Sequence, residues 1–261
     1  MKNLNKKNFI LIALLIFNAF LFSEEKLNID KYKNVLSEVE SILEENHFKK
    51  NVNVDTKAIK EKYLNSIDSQ KMVFDAENFD NFSKIEDLNK FGQIKFAFEV
   101  FDVFKEKSIK FLDLQRQSIT EINLESQLDT NDFIFKDRED EKRFKNLEEL
   151  SEYHLKEAKS ELISIYLKEK DLKKSKEKLL KRFVNREKSL NRISEDDIFS
   201  MYVNSFTSFY DPHTNYMTPK NQEDFEINMY LSLEGIGAIL TIKDGITEIV
   251  RLIPGGPAEK S

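Results

Sequence analysis

The residues that break regular structure are confined to one end of this chain. All four prolines (Pro212, Pro219, Pro254, Pro257) lie beyond residue 210, and five of the six glycines lie from Gly235 onward. From residue 24 to Asp211 the chain holds a single glycine, Gly92, and no proline. Gly and Pro are the strongest local punctuators of helices and strands. The long middle region can therefore be helical almost throughout, and the tail cannot.

The periodicity of apolar residues agrees. In 32–48, Tyr32, Val35, Leu36, Val39, Ile42 and Leu43 recur at steps of three and four, the stripe of an amphipathic helix. A second stripe runs through Ile94, Phe98, Phe101, Phe104, Ile109 and Leu112. A third crosses 147–183 amid dense Lys and Glu, from Leu147 and Leu150 to Leu179 and Phe183. Ser194 followed three residues on by Asp197 predicts a capping box that starts a helix through about Thr207.

Charged residues make up 34% of the chain, yet the net charge is only -6. Such mixing reads 136–192 as the solvated faces of long helices and speaks against a nucleic-acid partner, which needs a concentrated basic surface. There is no Cys, so no disulfide, thiol nucleophile or Cys-ligated zinc exists. His47, His154 and His213 stand far apart and form no HxxxH pair, so neither a metal nor another cofactor is expected.

At the N-terminus, Lys2, Lys6 and Lys7 precede an apolar run from Phe9 to Phe22 and then Ser23-Glu24-Glu25. This order matches a secretory signal peptide over 1–23. The run is short of the roughly 20 apolar residues that a spanning helix needs. The Leu21-x-Ser23 cleavage pattern is poor, so an uncleaved anchor associated with the inner membrane is the alternative. Either way the body of the protein is expected to be exported, with the periplasm as its compartment.

Beyond Tyr210 the texture changes. Asp211-Pro212 and Thr218-Pro219 bracket a loop, because the residue before Pro is driven from the helical region. Residues 231–242 and 246–253 read as two strands joined at Lys243-Asp244-Gly245, a hairpin-type turn. Gly235 and Gly237 flank Ile236 at the entry to the first strand. Backbone N–H groups in such a loop can converge into an anion nest, and a free strand edge beside it can accept an extended peptide. The alternative is that the two glycines form only a bulge.

Glu234-Gly235-Ile236-Gly237-Ala238 resembles the carboxylate-binding loop of a PDZ domain of the kind found in carboxyl-terminal processing proteases. Phe209-Tyr210-Asp211-Pro212-His213-Thr214-Asn215-Tyr216 resembles the segment before that domain in the tail-specific protease branch. Pro254-Gly255-Gly256-Pro257-Ala258 is similar to its turn into the first PDZ helix, and Tyr63-Leu64-Asn65-Ser66-Ile67-Asp68-Ser69-Gln70-Lys71-Met72-Val73-Phe74 resembles part of the branch's helical domain. The resemblance implies an exported serine endopeptidase that selects substrates by apolar C-terminal tails and cuts them with a Ser–Lys dyad. It assigns substrate binding to Gly235, Ile236, Gly237 and Ala238, and substrate proteins with apolar C-termini as partners. It leaves room for an adaptor on the helical domain.

The family's dyad lies C-terminal to its PDZ domain, so no residue here is expected to be catalytic. Ser175-x-x-Lys178 has a Ser–Lys spacing, but in a Lys-rich solvated helix an exposed Lys keeps its high pKa and is a poor base. His213 reads as a turn residue, with Asp211 and Thr214 making local hydrogen bonds. Pro257 and Glu259 open a helix that stops two residues later, and residues 229–261 fall short of an independent core. The expected organisation is a signal peptide over 1–23, a helical domain over 24–209, a linker over 210–228 and the truncated start of a β-rich PDZ domain over 229–261. The fold class is mainly α followed by that α+β fragment, inactive as a peptidase on its own. The competing reading is a non-enzymatic exported helical adaptor or tail-binding module.

Overall fold

A computed structural model describes residues 27–50, 52–85, 89–122, 133–230, 236–243 and 246–260. The predicted signal peptide, Gly235, and Asp244 and Gly245 of the predicted turn lie outside the described residues. The chain divides into two units, residues 1–216 and 217–261.

The first unit is helical. Its elements are α1 (Ile29–Asn46), α2 (Thr56–Ile67), α3 (Ala76–Ser83), α4 (Lys90–Glu121), α5 (Leu147–Glu169), α6 (Leu172–Asn191) and α7 (Glu195–Thr207). Helix starts are written in the sequence as side-chain caps. The carboxamides or carboxylates of Asn28, Asp55, Asp75, Asn89, Asn146 and Asp171 each accept a backbone N–H of their own first turn. Ser194 and Asp197 form the full reciprocal capping box at α7. Gly92 sits in the first turn of α4, where Asn89 Oδ1 accepts its N–H at 2.9 Å, so it does not interrupt the 32-residue helix.

The third apolar stripe is divided. Lys170 adopts the left-handed region at φ 57° and ends α5, and Asp171 caps α6. Two antiparallel helices then pack Leu162 and Ile165 against Leu179 and Phe183. Interrupting the stripe lets both halves bury their apolar sides on one another, which a single straight helix could not do.

Helix α4 is common to all three apolar clusters of the unit. Near its start, Ile94, Phe98 and Phe101 pack with Tyr32 and Leu36 of α1 and Phe199 and Val203 of α7. On another side, Phe96, Ala97 and Val100 meet Tyr63 and Leu64 of α2 and Tyr202. Near its end, Leu112 and Ile119 join the α5–α6 pair. At about 1.5 Å per residue the helix runs roughly 48 Å, long enough to serve clusters at both ends.

The second unit contains α8 (Pro219–Tyr230), strands β1 (Ala238–Lys243) and β2 (Ile246–Leu252), and a short α9 (Pro257–Lys260). The strands pair antiparallel, Ala238 opposite Leu252 and Lys243 opposite Ile246, with an irregularity between Ile239 and Leu240. Helix α8 occupies much of the stretch expected to be a linker. Pro219 at its first position lacks only an N–H that a helix leaves unused there. No described helix is long and apolar enough to cross a membrane.

Candidate functional site

The glycine loop is held by its carbonyls. Ile253 N–H donates to Gly237 O at 2.8 Å, and Ala258 N–H donates to Ile236 O at 2.9 Å. Both acceptors therefore face the turn at 253–258. A trans peptide sets its C=O and N–H on opposite sides. The N–H groups of Gly237 and Ala238 consequently face away from that turn, and the Ala238 N–H opens the edge of β1 opposite β2. Among the described residues, β1 pairs with β2 alone.

Glycine is required at the centre of this loop. Gly237 has φ 76°, and a Cβ there would lie 2.9 Å from Pro257 Cδ and 3.0 Å from Gly256 Cα. Gly256 is similarly confined, since its Cβ would lie 2.9 Å from Ile253 O. The two glycines pass at backbone contact, which fixes the loop against the start of α9. Gly255, at φ 77°, turns the chain in open space, and its N–H is taken by Glu259 Oε2 at 2.5 Å. Around the loop, Ile236 is 59% exposed and Leu240 48% exposed. The structure thus gathers Ile236, Gly237 and Ala238 of the sequence-assigned binding residues in one loop at a strand edge.

The Ser175–Lys178 spacing is not a dyad. Ser175, expected on a solvated helix face, is fully buried, and its hydroxyl donates to Asp171 O at 2.6 Å. Lys178 instead pairs with Glu169 at 2.5 Å. The hydroxyl spent on the first turn of α6 and the ammonium on a carboxylate leave neither group free for the other.

Asp211 organises the loop after α7. Its Oδ1 accepts the His213 N–H at 2.7 Å and the Thr214 N–H at 3.1 Å. His213 contributes backbone rather than imidazole to these contacts. The histidine that engages Asp211 is His47, which sequence spacing does not connect to it. The Asp211 carboxylate can only accept, so His47 Nε2 donates its N–H to Asp211 Oδ2 at 2.7 Å, while Nδ1 lies 3.0 Å from the Lys49 N and 3.2 Å from the Lys49 O. The Thr214 hydroxyl also donates to Asp211 Oδ2. Hydrogen bonds from Thr214, His47 and the His213 backbone hold the Asp211 carboxyl far below the usual carboxylate range. The carboxylate and hydroxyl meet the same imidazole nitrogen, whereas a nucleophile triad places them on opposite nitrogens. This group clasps the end of α1 to the loop that leaves the helical unit.

The Tyr63–Phe74 segment owes its shape to Asp68. Its carboxylate accepts the N–H groups of Met72 (2.8 Å), Val73 (3.2 Å) and Phe74 (3.0 Å) and pairs with Arg143 Nη1 at 2.6 Å. Both side chains are buried, and Arg143 also donates to Phe74 O and Asn65 Oδ1.

A cleft of about 730 Å³ opens between α4, α5 and α6, and Val73 and Ile193 also line it. His154 and Glu157 form one wall. His154 stacks on Phe111 at 4.1 Å, and its Nε2 donates to Met72 O at 2.7 Å. Burial pushes the Glu157 carboxyl up, but the hydrogen bond and charge of His154, with Arg186 and Gln115, hold it below the ordinary glutamate range.

The chain matches the family model described as the tail specific protease N-terminal domain over residues 39–220. It is 28% identical over 227 residues to the tail-specific protease of Haemophilus influenzae, covering 84% of this chain and 32% of that protein. The chain thus spans about a third of the length of this relative. The family match takes in well over half of the chain, including the Asp68 motif, the His47–Asp211 clasp and every helix from α2 to α7. This chain belongs to the tail-specific protease family, of which it carries the N-terminal domain.

Proposed function

We propose that this chain is the N-terminal part of an exported serine-type endopeptidase that selects substrate proteins by their apolar C-terminal ends. The observation that carries the reading is the orientation of the Gly237 peptide groups. Their carbonyls are consumed by the 253–258 turn, which leaves the N–H groups of Gly237 and Ala238 at the head of an unpaired strand edge. A peptide adding antiparallel or parallel to that edge would bring a terminal carboxylate to those donors. Ile236 and Leu240 supply exposed apolar surface for its last side chain. Gly235 completes the proposed loop.

In this reading the chain provides recognition, and a Ser–Lys dyad beyond these 261 residues provides cleavage. There the Lys would take the Ser proton and backbone donors would hold the oxyanion. The signal-like sequence over 1–23 supports export to the periplasm in this reading, with inner-membrane association as the alternative if the segment is retained.

Two measurements test the proposal. A chain extended through a complete PDZ domain is expected to bind peptides ending in a free apolar residue and to lose about tenfold or more in affinity when the end is amidated, since a charge-assisted contact disappears. Equal binding of the two peptides sinks the carboxylate role. The 261-residue chain is expected to leave a tailed reporter protein intact, and cleavage that survives removal of contaminating proteases contradicts the division of labour.

A further inference from the structure

The cleft between α4, α5 and α6 is lined by regular stripes. Ser108, Phe111, Leu112 and Gln115 of α4 follow the spacing i, i+3, i+4, i+7, and Arg182, Asn185, Arg186 and Ser189 of α6 follow the same spacing. One face of each helix is therefore turned to the cleft. The sizes and chemistry fit a ligand site, because pockets of about 300–1,000 Å³ with an apolar lining and a few polar groups are the usual form.

The cationic groups near it are not equivalent. Arg186 is taken by Glu161 in a two-pronged pair at 2.8 and 3.0 Å. Glu157 is occupied by Gln115 Nε2 at 3.1 Å and lies 3.6 Å from His154 Nδ1. Arg182 has no ion-pair or hydrogen-bond partner among the described residues, and the Asn185 side chain has none either. An arginine fork beside an amide donor suits a carboxylate. The apolar surface next to it suits a hydrocarbon body.

We propose that this cleft binds an apolar carboxylate, with Arg182 and Asn185 holding the carboxylate and Phe111, Leu112, Leu190 and Ile193 flanking the apolar body. Two sources share this chemistry: a short acyl anion and the free end of an apolar peptide. The site lies wholly within the helical unit and does not depend on the hairpin's role.

The test is calorimetric titration of the 261-residue chain with octanoate and octanol, repeated with Arg182→Gln and with Arg192→Gln as a charge-matched control outside the cleft. Octanoate is expected to bind about tenfold or more tighter than octanol. Arg182→Gln should abolish that preference, and Arg192→Gln should retain it. Arg182 is exposed, so an unchanged urea midpoint will show that its variant still folds. A tripeptide ending in free leucine is then added as a competitor. Displacement of octanoate identifies a peptide end as an accepted source, and its failure restricts the site to acyl anions. Absence of octanoate binding, parity with octanol in the parent chain, or a preference that survives Arg182→Gln overturns the proposal.

Discussion

Asp68 shows how one carboxylate can shape a motif. Three successive N–H groups and a buried guanidinium converge on it, so the 68–74 turn has no alternative acceptor for these donors. Asp68→Ala is expected to destabilise the helical unit by about 3–5 kcal/mol, because Arg143 would keep its charge in a buried place without its partner. A change below about 1 kcal/mol in urea unfolding refutes this account. Asp211 gives a pH prediction. Its folded carboxyl titrates below its unfolded value, so its contribution is complete above about pH 4 and is lost as pH falls through the acid range. Asp211→Asn should therefore lower the urea midpoint more at pH 7 than at pH 2, where part of the contribution is already lost. Equal losses at both pH values contradict the assignment. The local half of this arrangement could be read from Asp211-Pro212-His213-Thr214. The His47 half could not, because 164 residues separate the partners and nothing in spacing connects them.

At the scale of elements, the legible parts were those with a local cause. Helix stripes follow from periodicity, and the α7 start follows from Ser194 and Asp197. The stripe over 147–183 gives no sign of the division between α5 and α6, although Asp171 before Leu172 is itself a capping signal. A continuous apolar stripe concealed it, since periodicity survives a two-residue reversal that returns the second helix to the same core. Lys170→Gly tests the cause of the break. A left-handed conformation costs a residue with a Cβ but not glycine, so the variant should gain about 0.5–1 kcal/mol. A loss of stability instead would mean that the Lys170 side chain holds the turn. In the hairpin, Gly237→Ala is expected to displace the loop from the 253–257 turn, with the change visible in the amide spectra of Ile253 and Ala258. Unaltered amides would contradict the close approach. The short helices α2 and α3 and the helix α8 lacked long stripes, and long-range packing or a proline start decided them.

The whole molecule is two units of different self-sufficiency. The helical unit closes its three apolar clusters internally. The hairpin leaves Ile249 63% exposed and Val250 59% exposed, and a two-stranded hairpin is marginal in water. A chain ending at Tyr216 is therefore expected to keep a cooperative urea transition close to that of the parent, and residues 217–261 alone should show none. Loss of cooperativity in the shorter chain counts against independent folding of the helical unit. Helix α4 carries a further consequence, because it serves clusters near both of its ends. Phe101 and Leu112 lie eleven residues apart, almost an integral three turns, so one helix presents both to their clusters in a fixed angular phase. Adding a single alanine between them would rotate one end against the other by about 100°. Residue count between the two clusters, and not residue identity alone, is thus a quantity that this fold has to conserve.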